Sequence, residues 1–106
     1  MTPEEILKKY PKTCKDIIFN SINVFSRTLD NEEIKSILIR DPYYLRYYFD
    51  SVGIIANINY DEYNVYCGHV CHNYRLYHGL KAENRADVEK STILKAFKIR
   101  EKEFNE

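Results

Sequence analysis

The chain has no tryptophan, few glycines, prolines and cysteines (three of each), and no net charge, with 16 Lys and Arg against 16 Asp and Glu in 106 residues. Each scarcity excludes something. Three glycines scattered at positions 53, 68 and 79 cannot build a P-loop or a dinucleotide fingerprint, which need clustered glycines to bring backbone amides close to phosphate. Neutrality argues against a general nucleic-acid wrapper, because phosphate neutralisation supplies most non-specific affinity, and against an acidic solvating tail. No apolar run reaches the roughly 18 residues of a membrane span. The opening Met1-Thr2-Pro3-Glu4-Glu5 is acidic and lacks the apolar stretch of a secretory signal. A cytoplasmic protein with no membrane partner is expected, and in that compartment three cysteines read as free thiols. There are no repeats and no Gly/Ser-rich linkers, so residues 1–106 read as one compact domain of ordinary size, with a helical part over about 1–53 and a second part over about 54–106.

What is present is 44% hydrophobic residues, too many for disorder, and ten tyrosines. The first half carries helix start signals. Thr2 with Glu5 forms a capping box and Pro3 takes the favoured first position; Pro11 ends that helix early. Thr13 with Asp16 reads as a second start, followed by Ile17, Ile18, Ser21, Ile22, Val24 and Phe25 on one broad face. Asp30 with Glu33 is a third, with Ile34, Ile37 and Leu38 as its stripe. Asp41-Pro42 is a fourth, Asp capping and Pro opening a helix over Tyr43–Val52, which Gly53 closes in a left-handed conformation. The acidic pairs Glu4-Glu5 and Glu32-Glu33 sit in first helical turns, where they favour the helix dipole.

After Gly53 the period changes to two. Ile54, Ala56, Ile58 and Tyr60 share one parity. Tyr63, Val65, Cys67 and His69 alternate with Asn64, Tyr66, Gly68 and Val70. Tyr74, Leu76, His78 and Leu80 alternate with Arg75, Tyr77 and Gly79. With turns at Asp61-Glu62 and His72-Asn73, this predicts a three-stranded antiparallel meander. Tyr63, Tyr66, Cys67, Val70, Tyr74 and Tyr77 also fall at helical spacing, so an all-α chain is the alternative. Strands are favoured because Tyr and Val are strand formers and two glycines would each cost about 1 kcal/mol inside a helix. Asn84 with Asp87 then starts an amphipathic helix over about Arg85–Glu103, striped by Ala86, Ile93, Ala96, Phe97 and Phe104, with Phe97 as a core anchor. The fold class is α+β.

Tyr48-Phe49-Asp50-Ser51-Val52-Gly53-Ile54, a short β-like region, Arg85-x-x-x-Glu89 and Lys95-Ala96-Phe97 together resemble a pattern found in small proteins of phages and mobile elements. The resemblance covers the C-terminal half and implies the order helix, meander, helix. It also implies an accessory protein of a bacterial virus or prophage rather than a metabolic enzyme, and it transfers no functional residues.

The densest chemical cluster is Cys67, His69, Cys71, His72 and His78. On a strand, Cys67, His69 and Cys71 point one way and His72 the other, and the spacing fits no zinc motif; no metal and no cofactor are expected. A Cys–His pair could be drawn as a nucleophile, but there is no nucleophile elbow and no glycine-rich oxyanion loop. No enzymatic activity and no catalytic residue are expected.

Residues 63–80 contain no acid and hold Arg75, three His and four Tyr. One parity places Tyr66, Val70 and His72 beside Arg75 and Tyr77, with Asn57 and Asn59 as same-face candidates on the first strand. Such a face suits a polar or acidic protein patch, because interface energy concentrates in Tyr and Arg, or it could stack on bases. Tyr43 and Tyr44, from the aromatic helix before it, extend the candidate binding set of Tyr66, Arg75 and Tyr77. The function expected is therefore a non-catalytic protein-binding module, an accessory protein or inhibitor acting on a host or viral protein, with a homodimer compatible with the aromatic surface. A nucleic-acid-binding regulator using the sheet face is the alternative.

Overall fold

A computed structural model describes residues 1–106. Local capping sets where most helices begin. The Thr2 hydroxyl accepts the Glu5 amide at the head of α1 (Pro3–Lys9). Asp30 does the same for Glu33 at the head of α3 (Asn31–Arg40), at 2.8 Å. Asn84 accepts the Asp87 amide at the head of α5 (Arg85–Phe104). Each satisfies one of the orphan amides of a first turn.

Helix α2 (Pro11–Phe25) departs from this pattern. It starts two residues before the expected Thr13 cap, with Tyr10 at the cap position and no side-chain cap from its neighbours. Pro11 supplies the reason, since it ends α1 and is itself preorganised as a first helical residue. Thr13 lies inside the first turn, buried. Its amide and that of Lys12 donate to the two carboxylate oxygens of Glu101, at 2.8 and 3.3 Å. The Asp41-Pro42 signal also resolves differently. Asp41 forms no side-chain cap; Pro42–Leu45 is a single 3-10 turn leading into the short α4 (Arg46–Ser51). Gly53 then takes φ +81°, as its place after a helix demands.

The strands form as the alternation predicts, which removes the all-α alternative. β1 (Ile55–Tyr60), β2 (Tyr66–His72) and β3 (Arg75–Ala82) make an antiparallel sheet in the order β1-β2-β3. The β1–β2 turn is shaped by Asp61, whose carboxylate accepts the amides of Tyr63 and Val65 at 2.9 and 3.2 Å. The β2–β3 turn is two residues, Asn73 and Tyr74, both at positive φ (50° and 65°), one position later than the expected His72-Asn73, because His72 pairs with Arg75 and stays in β2. That is the backbone of a primed hairpin turn, which matches strand twist but favours Gly at its second position.

Helix α5 lies across one face of the sheet. Its approach depends on Gly68, where a Cβ would overlap the Thr92 hydroxyl and lie 3.1 Å from Val88 Cγ1. The glycine in the middle of β2 is thus where helix and sheet come closest. Ile54, Ala56 and Val70 from the sheet side, Ile93, Ala96 and Phe97 from α5, and Ile17, Leu45 and Phe49 from the N-terminal half build one core. Phe49 meets Phe97 edge to face at 5.2 Å, a favoured aromatic geometry. Tyr48 is wholly buried. Its hydroxyl donates to Asp16 at 2.6 Å and accepts from Arg100 at 3.1 Å, while Arg100 also reaches Asp16 at 3.0 Å. This node ties α2, α4 and α5 together. Burial, then the bond to Asp16, pushes the Tyr48 phenol well above its ordinary range.

Candidate functional site

The register of the sheet assigns every strand residue to a face. Val70 stands opposite Ala56 and Tyr77, and His72 opposite Arg75. These residues lie on the side where α5 packs. Asn57 stands opposite His69 and Asn59 opposite Cys67. The two asparagines therefore belong to the other face, not beside Tyr66, Arg75 and Tyr77 as expected. The reason is parity: Ile54 and Ala56 are buried, and their odd-numbered neighbours must point away.

The open face carries Ile55, Cys67, His69, Cys71, Leu76 and His78 in adjoining rows. The cysteines are free, and the Cys67 thiol donates to the Asp61 carboxylate at 3.6 Å. Desolvation would raise the Asp61 carboxyl, but the Val65 and Tyr63 amides and this thiol outweigh it and hold the group below its usual range. No three His, Cys, Asp or Glu side chains converge on a point where a metal could sit.

The five expected binding residues do not form one surface. Tyr66, at the far end of β2 from His72, packs against Tyr60 with ring centres 4.8 Å apart and planes tilted by 50°, and lies under the Arg85 guanidinium. Tyr43 donates its hydroxyl to the Ala56 carbonyl at 3.1 Å, and the Arg46 guanidinium sits 4.5 Å over its ring. Tyr44 packs on Phe25 at 5.1 Å. Arg75 and Tyr77 do come together. They line a groove of about 490 Å³ between the start of β3 and the C-terminal half of α5.

Lys95, Lys98 and Lys102 form the opposite wall. Their spacing of three and four residues puts them on one helix face, and seven residues span about 10 Å along the axis. That is close to the Debye length at physiological salt, so the three ammonium groups and Arg75 act on a charged ligand together. Two acids adjoin them, Glu103 and Glu106. Glu103 is already engaged, by His72 at 3.3 Å and by Arg100 at 3.5 Å. Beyond the mouth, Tyr74 projects wholly into solvent from the positive-φ turn. The lysine wall and Tyr74 stand outside the expected set. The lysine spacing is visible in the sequence, but exposed lysines on an amphipathic helix are ordinary, and only the fold sets them against Arg75.

Comparison with known protein families, with curated proteins and with solved structures found no match. No helix is long and apolar enough to cross a membrane.

Proposed function

We propose that this chain is a non-catalytic protein-binding module whose basic groove takes an acidic segment of a partner protein. The observation that carries the reading is the placement of four basic side chains, Arg75, Lys95, Lys98 and Lys102, against two acids, Glu103 and Glu106, around one groove of a chain with no net charge. Tyr77 supplies an apolar wall beside them, and Tyr74, in the turn between the groove residues Asn73 and Arg75, is a fully exposed aromatic. Tyr and Arg are the residues in which interface energy concentrates. Tyr74 also occupies a backbone conformation that costs a non-glycine residue about 1 kcal/mol or more, and nothing in the fold uses its ring. Backbone strain of this kind gathers at binding sites, which makes Tyr74 a candidate contact. An accessory or inhibitory role toward a host or viral protein rests on the resemblance of the C-terminal half alone.

The same cations favour a second reading, capture of a nucleic-acid backbone. Tyr66 and Tyr77 lie on the α5 side of the sheet, so stacking of bases on an open sheet would not contribute. Four cations would give a log–log salt slope of at most about −3 to −4. Capture on immobilised protein with nuclease treatment, followed by mass spectrometry, separates the readings. A protein retained after nuclease, and lost with Lys98→Glu/Lys102→Glu, supports the module; loss of all retained protein on nuclease treatment overturns it in favour of nucleic acid.

A further inference from the structure

The two edges of the sheet are finished differently. Along β1 the Tyr43 hydroxyl, from the 3-10 turn, satisfies the Ala56 carbonyl, and α4 packs nearby. Along β3 none of the turn, loop or side-chain hydrogen bonds of the molecule ends on the backbone of Arg75–Ala82. The outward amides and carbonyls of β3 are a free template for another strand. The regular part of this edge is short. Cys67 pairs with Lys81 and His69 with His78, so Gly68 alone opposes Gly79 and Leu80, and the resulting bulge bends β3 there. The flat stretch is Arg75–His78, which is the stretch beside the groove.

We infer that the partner segment binds in extended form, as a fourth strand antiparallel or parallel to Arg75–His78, with acidic side chains at alternate positions. The inference rests on the proposed function and specifies its mode. A strand added at the usual spacing of about 4.8 Å would point every second side chain toward the α5 side. There it meets Lys95, Lys98 and Lys102, which line the groove with Arg75 and Tyr77. Main-chain bonds supply affinity and the cationic wall selects acids at one parity. Charge also selects against a second copy of this chain at the same edge. Two-fold pairing of β3 with β3 would set the cations of one protomer against those of the other, and like charges across such a contact are destabilising.

The probe is a capped peptide of alternating Glu and Val, measured by fluorescence anisotropy and by amide hydrogen exchange of the intact chain. Three companions are two peptides of the same composition, N-methylated at the Glu or at the Val positions, each of which loses one edge of donors but no charge, and poly-glutamate. The alternating peptide is expected to bind, to slow exchange at amides within Arg75–His78, and to lose at least ten-fold on N-methylation of the residues facing β3. Lys98→Glu/Lys102→Glu, both at exposed positions, is expected to lose at least ten-fold as well. If both N-methylated registers bind as well as the parent while the lysine variant loses binding, strand addition is wrong and the groove reading stands. If neither the alternating peptide nor poly-glutamate binds, both fail.

Discussion

The two faces of the sheet are made from the same three strands and have opposite physics. The α5 side holds Ala56, Gly68 and Val70 with essentially no exposure, whereas on the other side Leu76 keeps 51% of its surface in water. On the covered side a change of one methyl group is a packing event, because interiors are close-packed. On the open side the same change meets solvent. The difference teaches that a short sheet with a single covering helix concentrates its stability on one face and leaves the other free to vary.

The largest expected effect tests that division. Phe97→Ala should cost about 3–5 kcal/mol, while Leu76→Ala, on the open face, should stay within about 0.5 kcal/mol; urea melts of the two variants check both. Equal losses would mean that the open face is also packed. Next comes Gly68→Ala, expected to cost about 1–3 kcal/mol by overpacking because the new methyl strikes Thr92. Adding Thr92→Ala should recover part of that loss, and a double-mutant cycle by chemical denaturation would read the coupling. A smaller effect of opposite sign is expected at the hairpin tip. Tyr74→Gly should stabilise the fold by about 1 kcal/mol, since glycine accepts positive φ without penalty, while weakening capture of the partner. A stabilised variant that binds as well as the parent would show that the ring plays no part in binding.

The last prediction moves stability least and maps the faces chemically. Burial, then the nearby Glu101 charge, pushes the Cys14 thiol up to about 12, so at pH 8 it is protonated as well as inaccessible. Cys67 and Cys71 are half-exposed. Native labelling with a small disulfide reagent at pH 8 should therefore count two thiols, rising to three in denaturant; a native count of three would place Cys14 on an accessible surface.

Local rules made much of this fold legible. The caps at Thr2, Asp30 and Asn84 work within three residues of themselves, and the switch to period two after Gly53 marks the strands. What escaped is long-range. Which positions of β1 share a face with Tyr66 and Val70 is set by the register across the 61–65 turn, which local pattern does not fix, so sequence alone places Asn57 and Asn59 on the wrong face. The start of α2 at Pro11 is a local signal; what the sequence does not show is that Glu101, from another helix, takes the amides of Lys12 and Thr13. At the candidate site, Arg75 and Tyr77 stood out through a local bias in composition. Lys95, Lys98 and Lys102 did not, because their meaning depends on α5 folding back along β3.

The carboxylate of Glu101 reaches the head of α2 across 88 residues of chain. A polypeptide is made from its N-terminus, and domains tend to settle as units. Until residue 101 has emerged from the ribosome, the amides of Lys12 and Thr13 have only water to bond, and the buried site around Thr13 has no anion in it. The first and last long helices thus complete one another. The head of α2 is therefore expected to stay loosely held until α5 docks and brings Glu101 to it.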